Sequence, residues 1–457
     1  MKSYELSQIC DLLAIKIPLD KQALIKNIKL SVLEINNNTL IFHMQKTQTL
    51  NIDNLLKVND CFIITDQPLL KRYHRAKERF LIVPNIEVAY DKFIEFYRNQ
   101  FSIKTVAITG TCGKSTTKEM IKQVLAKNHS VTGTIGSKNS LRFNHEYLME
   151  IDEESEFGIY ETAITDPGQI LYSAKYFKPT VGVITNIGID HLSGCKTLDN
   201  YILAKGEILT ALGPLGTVII NKDDENINKL DFTSYKGKVI TYGIKTKADY
   251  QATKISYHNK MMCFTVNNQY QVKVPGMGIH NVYNALAAIA TLVTLGIDIS
   301  EAITELSTYQ PMKSHFEIYR GINGAVIVDD TWSSNPTSVE AALDTLRLIK
   351  GKKVVVIGNI SYLGAYALEQ AKSIGKMVVE NNIDYLITID NFSRHIANEA
   401  IRIGMDKNNI FDCQTTEDLD TVLYHLMKPG VTVLFKTSMF DKKIKKIIER
   451  YFVRNKE

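Results

Sequence analysis

The stretch TVAITGTCGKSTTKEMIKQVLA, Thr105 to Ala126, carries residue types at a spacing that suits phosphate chemistry. Gly110, Thr111, Cys112 and Gly113 form a small-residue turn, and Lys114, Ser115 and Thr116 follow it. Such a turn lets main-chain N–H groups converge on an anion while the positive end of the next helix faces it. The Lys114 ammonium would reach the outer phosphates, and the Ser115 hydroxyl is placed for Mg²⁺. The flanks must supply the geometry. Thr105 to Ile108 are β-branched or small and predict a buried strand, while Met120, Ile121, Val124 and Leu125 recur at helical spacing. A glycine-lysine-serine triplet is common by chance; one that joins a strand directly to a helix is specific for nucleotide binding.

Other candidates are weaker taken alone. Glu161 ends the apolar run EFGIYETA. Open α/β sheets bind ligands at the carboxyl edge of such strands, and Mg²⁺ takes one or two carboxylates beside phosphate oxygens. A solvated strand-end glutamate fits the same spacing. VGVITNIGIDHL places Asn186, Asp190 and His191 just beyond another strand, where Asp190 reads as a loop residue and a lone histidine as structural. Lys205 in YILAKGEIL reads as an ordinary helix lysine, and Asn284 in IHNVYNALAA as a cap residue. Asp329 and Asp330 follow the run VIV in VIVDDTWSSNPTSVEAAL, where Asn335-Pro336 breaks the chain. Trp332, the only tryptophan, suits either core packing or a plane facing substrate.

The chain has 457 residues, 45% apolar and 23% charged, enough for two to four globular domains. Net charge is +5 with no concentrated basic patch, which excludes a typical nucleic-acid binder. The basic run DKKIKKIIER has Ile444, Ile447 and Ile448 at helical spacing and reads as a solvated helix face. Six scattered cysteines form no CxxC pair, which argues against a zinc site or a disulfide framework and fits a reducing cytoplasm. MKSYELSQICDLLAIKIP lacks the apolar core of a leader, and no run reaches the length of a membrane span. A cytoplasmic protein is expected. Residues 1–100 predict a small α/β domain with a hairpin or short turn at Asn36-Asn37-Asn38. Residues 101–310 alternate strand and helix as in a parallel sheet covered on both faces, and 311–457 repeat the pattern as a small doubly wound domain.

The shortened loop, with two residues between Gly110 and Gly113, followed by Thr116-Thr117-Lys118-Glu119-Met120, resembles the Mur ligase family. These are ATP-dependent ligases that join amino acids to cell-wall precursors in peptidoglycan biosynthesis. Within the family the resemblance is nearest to the branch that adds D-alanyl-D-alanine to a UDP-muramoyl tripeptide. The resemblance implies three domains: an N-terminal one for the acceptor, a central phosphate-loop domain for ATP and a C-terminal Rossmann-like one. It implies two Mg²⁺ ions, with Ser115, Glu161, His191 and Lys205 as metal ligands. Lys205 matches the family's Ala-Lys-x-Glu lysine, which is carbamylated in several members; that reaction requires a neutral amine. By the same resemblance Asn284 contacts adenine beside His280 and Asn281, and Asp329 serves the ATP ribose or the substrate-side loop. Gly110, Thr111, Gly113, Lys114, Ser115 and Thr116 cradle the phosphates, with Lys114, Lys205 and His191 as the catalytic set. The implied reaction runs through an acyl phosphate, with a small or peptide-precursor acceptor and an amino-acid or dipeptide donor. No nucleic acid, no membrane span and a monomer are expected.

The substrate-facing half departs from the family pattern. The first hundred residues contain no glycine, and no Asp-Ser-Arg signal for uridine diphosphate is present. A Gly-Arg pair becomes Ser314-His315, two acidic positions become Asn359 and Tyr362, and Lys-Gly-Ser-Arg becomes Lys436-Thr437-Ser438-Met439. Two alternatives therefore stand beside a cell-wall ligase: the same chemistry on another acceptor, and a phosphate-loop NTPase that performs no ligation.

Overall fold

The computed structural model describes residues 1–16, 22–439 and 441–453. By packing, the chain forms two compact units. One comprises Met1–Thr105, His129–Gly158 and Tyr172–Lys178; the other comprises Val106–Asn128, Ile159–Leu171 and Pro179–Glu457.

In the first unit a four-stranded parallel sheet runs Asn27–Lys29, Thr39–Phe42, Cys61–Thr65, Phe80–Ile82. Of the hairpin or short turn expected at Asn36–Asn38, the turn is present at Asn37-Asn38 and the hairpin is not: Asn27 pairs with Thr39 and Lys29 with Ile41 in parallel register. The intervening chain crosses over the sheet because Val32 is buried in its core beside Ile41, Ile63 and Leu55. Thr39–Phe42 and Cys61–Thr65 are buried at every position, as strands covered on both faces must be. Helix Ile86–Asn99 covers one face, with Tyr90 and Phe93 packed on Phe42. His145 joins this core through Tyr90 Oη (2.9 Å) and the Ile28 carbonyl (3.0 Å), and burial depresses its pKa to about 4.

A nine-stranded sheet runs Tyr270–Pro275, Met261–Val266, Tyr250–His258, Lys238–Gly243, Thr217–Asn221, Val181–Ile184, Lys104–Thr109, Phe157–Glu161, Val131–Gly133. From Lys104–Thr109 to Lys238–Gly243 the neighbours are parallel, and the last three strands in sequence are joined by antiparallel pairs. Helix Leu198–Leu212 packs Ile202, Ile208 and Leu212 on Ile184, Val218 and Ile220. Helix Ile279–Leu295 is buried along most of its surface, which its alanines at 285, 287, 288 and 290 permit.

A six-stranded sheet follows: Glu317–Arg320, Val326–Asp329, Val431–Lys436, Lys352–Ile357, Tyr385–Thr388, Ile410–Asp412, with only the first strand antiparallel. Alternate residues face opposite sides. Val328, Val355, Ile357, Leu386 and Leu434 pack under helices Pro336–Leu346, Ala367–Glu380 and Asn391–Arg402. Ile327, Val354, Val356, Val433 and Phe435 pack under Thr416–Leu426 and Lys442–Tyr451. This is the doubly wound architecture expected, and the basic run lies on the last helix with Ile444, Ile447 and Ile448 buried and its lysines exposed. The chemistry-bearing residues cluster where strands end at their carboxyl edges: Thr109, Glu161, Ile184 and Asp329.

Candidate active site

The phosphate loop leaves strand Lys104–Thr109 and enters helix Lys114–Leu125. Gly110 (φ +142°) and Gly113 (φ +80°) occupy conformations that disfavour a side chain. A Cβ at Gly110 would run into Thr185 Oγ1, and one at Gly113 into Asn284 Oδ1. The turn is held from the neighbouring strand end. Cys112 N–H donates to Asn186 Oδ1 (2.9 Å), Asn186 Nδ2 donates back to the Cys112 carbonyl (2.9 Å), and Thr185 Oγ1 donates to that carbonyl as well (2.6 Å). Thr111 N–H donates to the Asn186 carbonyl at 2.8 Å. The Thr111 hydroxyl accepts from Gly188 N–H (2.9 Å) and meets Tyr201 Oη (3.2 Å), so it serves the loop's own shape. The Lys114 ammonium rests on the Gly110 and Thr111 carbonyls, 2.9 Å from each. Ser115 and Thr116 open the helix and are half-buried.

Glu161 is buried at its strand end, with Oε1 3.5 Å from the ammonium of Lys118, which also pairs with Glu119 at 2.7 Å. Lys118 is fully buried one helical turn beyond Ser115, a partner for Glu161 that sequence reasoning missed. His191 takes a left-handed φ of 50°, which turns the chain into the short helix Leu192–Cys195. Its Nδ1 is buried with no partner among the described residues, and its ring lies 5.2 Å from that of Tyr362. Burial lowers the His191 pKa; Asp190, whose Oδ2 lies 3.8 Å from Nε2, opposes this, and Lys114 and Lys205 add to it. Lys205 is 1% exposed, donates to Thr109 Oγ1 (3.2 Å) and lies over the Tyr201 ring. Burial, reinforced by the Lys114 charge, holds its pKa well below that of an ordinary lysine. Lys114, Asp190, His191 and Lys205 thus act on one another electrostatically around the loop.

Asn284 is buried against Gly113, with Thr117 Oγ1 3.5 Å from its Oδ1, at the phosphate-loop end of its helix. His280 is half-buried at the helix start, its pKa pushed down to about 4 by desolvation. Both carboxylate oxygens of Asp329 are engaged within the fold: Oδ1 accepts from Thr331 N–H and Oγ1, and Oδ2 from Ser314 Oγ (2.8 Å). Its neighbour Asp330 pairs with the buried Lys436 at 2.7 Å, and Lys436 also reaches the Ser333 carbonyl at 2.6 Å. Trp332 is half-buried and stacks on His315 (5.5 Å, 25°) rather than lying in the core. The ties made by Thr185, Asn186 and Asp190 escaped the residue-by-residue reading. Their only sequence signal is a polar cluster directly after an apolar strand.

Among the described residues no group of three or more His, Cys, Asp or Glu gathers as a metal cage. No described helix is long and apolar enough to cross a membrane.

A parallel sheet bearing a phosphate loop, joined to a second doubly wound domain, is the build of an ATP-dependent ligase. The Mur ligase middle domain matches residues 108–292 and the Mur ligase glutamate ligase domain matches residues 316–439, so the chain belongs to the Mur ligase family. Among its relatives, the UDP-N-acetylmuramoyl-tripeptide–D-alanyl-D-alanine ligase of Buchnera aphidicola subsp. Acyrthosiphon pisum (strain APS) is 28% identical over 375 residues, 81% of each chain. In fold it is similar to MurF from Acinetobacter baumannii (TM-score 0.85, 23% identity, 98% of this chain and 99% of that one). It is similar also to the MurF ligase of Thermotoga maritima in complex with ADP (TM-score 0.80, 22% identity, 93% and 97%).

Proposed function

We propose that this ligase adds an amino acid or dipeptide, in the first instance D-alanyl-D-alanine, to the carboxylate of a UDP-muramoyl peptide precursor. The observation that carries the reading is the buried amine of Lys205, held on Thr109 where the strand enters the phosphate loop, together with the buried His191 Nδ1 that has no partner among the described residues. A nucleotide switch has no need of that second set.

In the first step an acceptor carboxylate oxygen attacks the γ-phosphorus of ATP and ADP leaves, giving an acyl phosphate. In the second the donor amine attacks the acyl carbon, phosphate leaves, and the nitrogen loses its proton. Both steps gather negative charge on the transferred phosphoryl oxygens. Lys114 would exchange the Gly110 and Thr111 carbonyls for those oxygens, and the loop N–H groups would hold the β-phosphate. Ser115, Glu161, His191 and Lys205 are the residues that would hold Mg²⁺, two ions in this reading; the buried, unpartnered His191 Nδ1 and the buried Glu161 carboxylate suit that role. Bound Mg²⁺ neutralises phosphate charge. Lys205 is proposed to add CO₂ at its neutral amine, releasing one proton and leaving a carbamate anion; its burial supports this. Asn284 and Asp329 remain proposed nucleotide-side residues. Gly110, Thr111, Gly113 and Thr116 complete the cradle.

The domain division 1–100 for the acceptor, 101–310 for ATP and 311–457 for the amine belongs to the same proposal, as do a monomeric state and a cytoplasmic location. The glycine-free first hundred residues favour one second reading, the same chemistry on an acceptor without UDP. A panel of acceptors and amines decides, with phosphate release and product mass measured together. Amide formed only from the UDP-muramoyl tripeptide and D-alanyl-D-alanine supports the first reading, and amide from another acceptor supports the second. Phosphate release indifferent to both substrates would overturn both. For Lys205, loss of activity in CO₂-free buffer, restored by bicarbonate together with a carbamate signal in ¹³C NMR, is expected; activity indifferent to bicarbonate with no such signal would remove the modification.

A further inference from the structure

Asn335 lies at the start of helix Pro336–Leu346 and is 3% exposed. Its Oδ1 caps the helix by accepting from Ser338 N–H (2.8 Å), and the Ser338 hydroxyl accepts in return from Asn335 N–H (3.0 Å). A cap needs nothing more. Yet the same carboxamide makes two contacts far away in sequence. Cys112 Sγ of the phosphate loop donates to Oδ1 at 3.3 Å, and Nδ2 donates to Asp190 Oδ2 at 3.2 Å. The helix start is seated against this region a second time, because a Cβ at Gly188 would run into Thr337 Oγ1. Asp190 Oδ1 is held by His191 N–H at 2.9 Å, so Asn335 fixes the carboxylate's other oxygen. That carboxylate stands beside His191, with Oδ2 3.8 Å from the ring Nε2, so where it sits decides what the imidazole faces.

We propose that Asn335 is a positioning residue: its carboxamide latches the C-terminal ligase domain to the phosphate loop and holds the Asp190 carboxylate in its working place. The latch acts within the ligase reading given above and makes no contact with substrate itself.

Two substitutions keep the helix cap and change the latch. Asn335→Ser retains a capping oxygen but loses the donor to Asp190. Asn335→Asp is an equally good cap and sets a second carboxylate against the first. The expected order of kcat for Mg-ATP turnover with acceptor and amine is wild type, then Ser, then Asp. The Asp variant should lose at least about tenfold, the usual effect of removing a hydrogen bond to a charged group. Thermal midpoints should fall by only a few degrees, about what one or two hydrogen bonds contribute, and in an order that does not account for the loss of turnover. The affinity for a non-hydrolysable ATP analogue should change less than about twofold, because Thr185 and Asn186 still hold the loop. Wild-type kcat in both variants would overturn the proposal, as would a kcat loss that merely tracks a fall in thermal midpoint. Product mass is read in parallel. Phosphate release without amide in the wild type would sink the ligase reading, while the order of turnover would still judge the latch.

Discussion

Asn186 is expected to govern nucleotide affinity without touching nucleotide, and the size of the effect can be worked from its contacts. Its side chain closes a two-way bridge with the Cys112 main chain, donor and acceptor each at 2.9 Å. A hydrogen bond of this type contributes about 1 kcal/mol net, so Asn186→Ala removes about 2 kcal/mol of loop ordering. The loop does not come away, because Thr111 N–H still meets the residue-186 carbonyl and Thr185 Oγ1 still meets the Cys112 carbonyl. The lost order must then be restored on binding. That corresponds to about 30-fold weaker affinity for a non-hydrolysable Mg-ATP analogue. Thr185→Val removes one side-chain bond to Cys112 and should cost about 1 kcal/mol, roughly fivefold. Isothermal calorimetry on the two variants, with thermal unfolding as a check on the fold, measures both. Affinity within twofold of wild type for Asn186→Ala, in a folded protein, would refute the idea that this bridge shapes the loop.

Lys114→Ala should abolish ATP turnover and leave the circular dichroism spectrum and thermal midpoint in place; full activity would mean the phosphates bind elsewhere. Glu161→Gln should lower the rate and raise the Mg²⁺ concentration needed for half-activity, and an unchanged Mg²⁺ titration would take Glu161 out of the metal shell. For His145, the folded pKa of about 4 lies below the ordinary 6.5, so the unfolded chain takes up its proton first as pH falls. Stability of the first unit should therefore be full above pH 6.5 and decline by about 3 kcal/mol toward pH 4. Urea denaturation of wild type and His145→Gln across that range should show the slope only in the wild type; parallel curves would mean the imidazole is not held neutral.

The residues themselves determined the local chemistry. Strand, glycine turn and helix at 105–126 were legible because a phosphate loop is built from contiguous backbone and its glycines have no substitute at φ +142° and +80°. The alternating strands and helices of 311–457 were legible because apolar periodicity follows directly from burial on two faces. Family resemblance carried Glu161, His191 and Lys205 further than their spacing could. What the sequence left open were relations between distant segments. Asn36–Asn38 read as a hairpin or a short turn; the turn is there, but with Val32 buried between the strands the chain enters parallel rather than hairpin pairing. Asp190 is a loop residue, as it read, but that Asn335, 145 positions away, holds it beside His191 was not legible. The partners within the fold, Ser314 and Thr331 on Asp329 and Lys436 on Asp330, were not legible either. Even the depressed pKa of Lys205 depends on how completely other segments bury the amine and on how near Lys114 comes to it. A side chain's type is a local property; the dielectric and the charges around it are set by whichever segments the tertiary fold brings alongside.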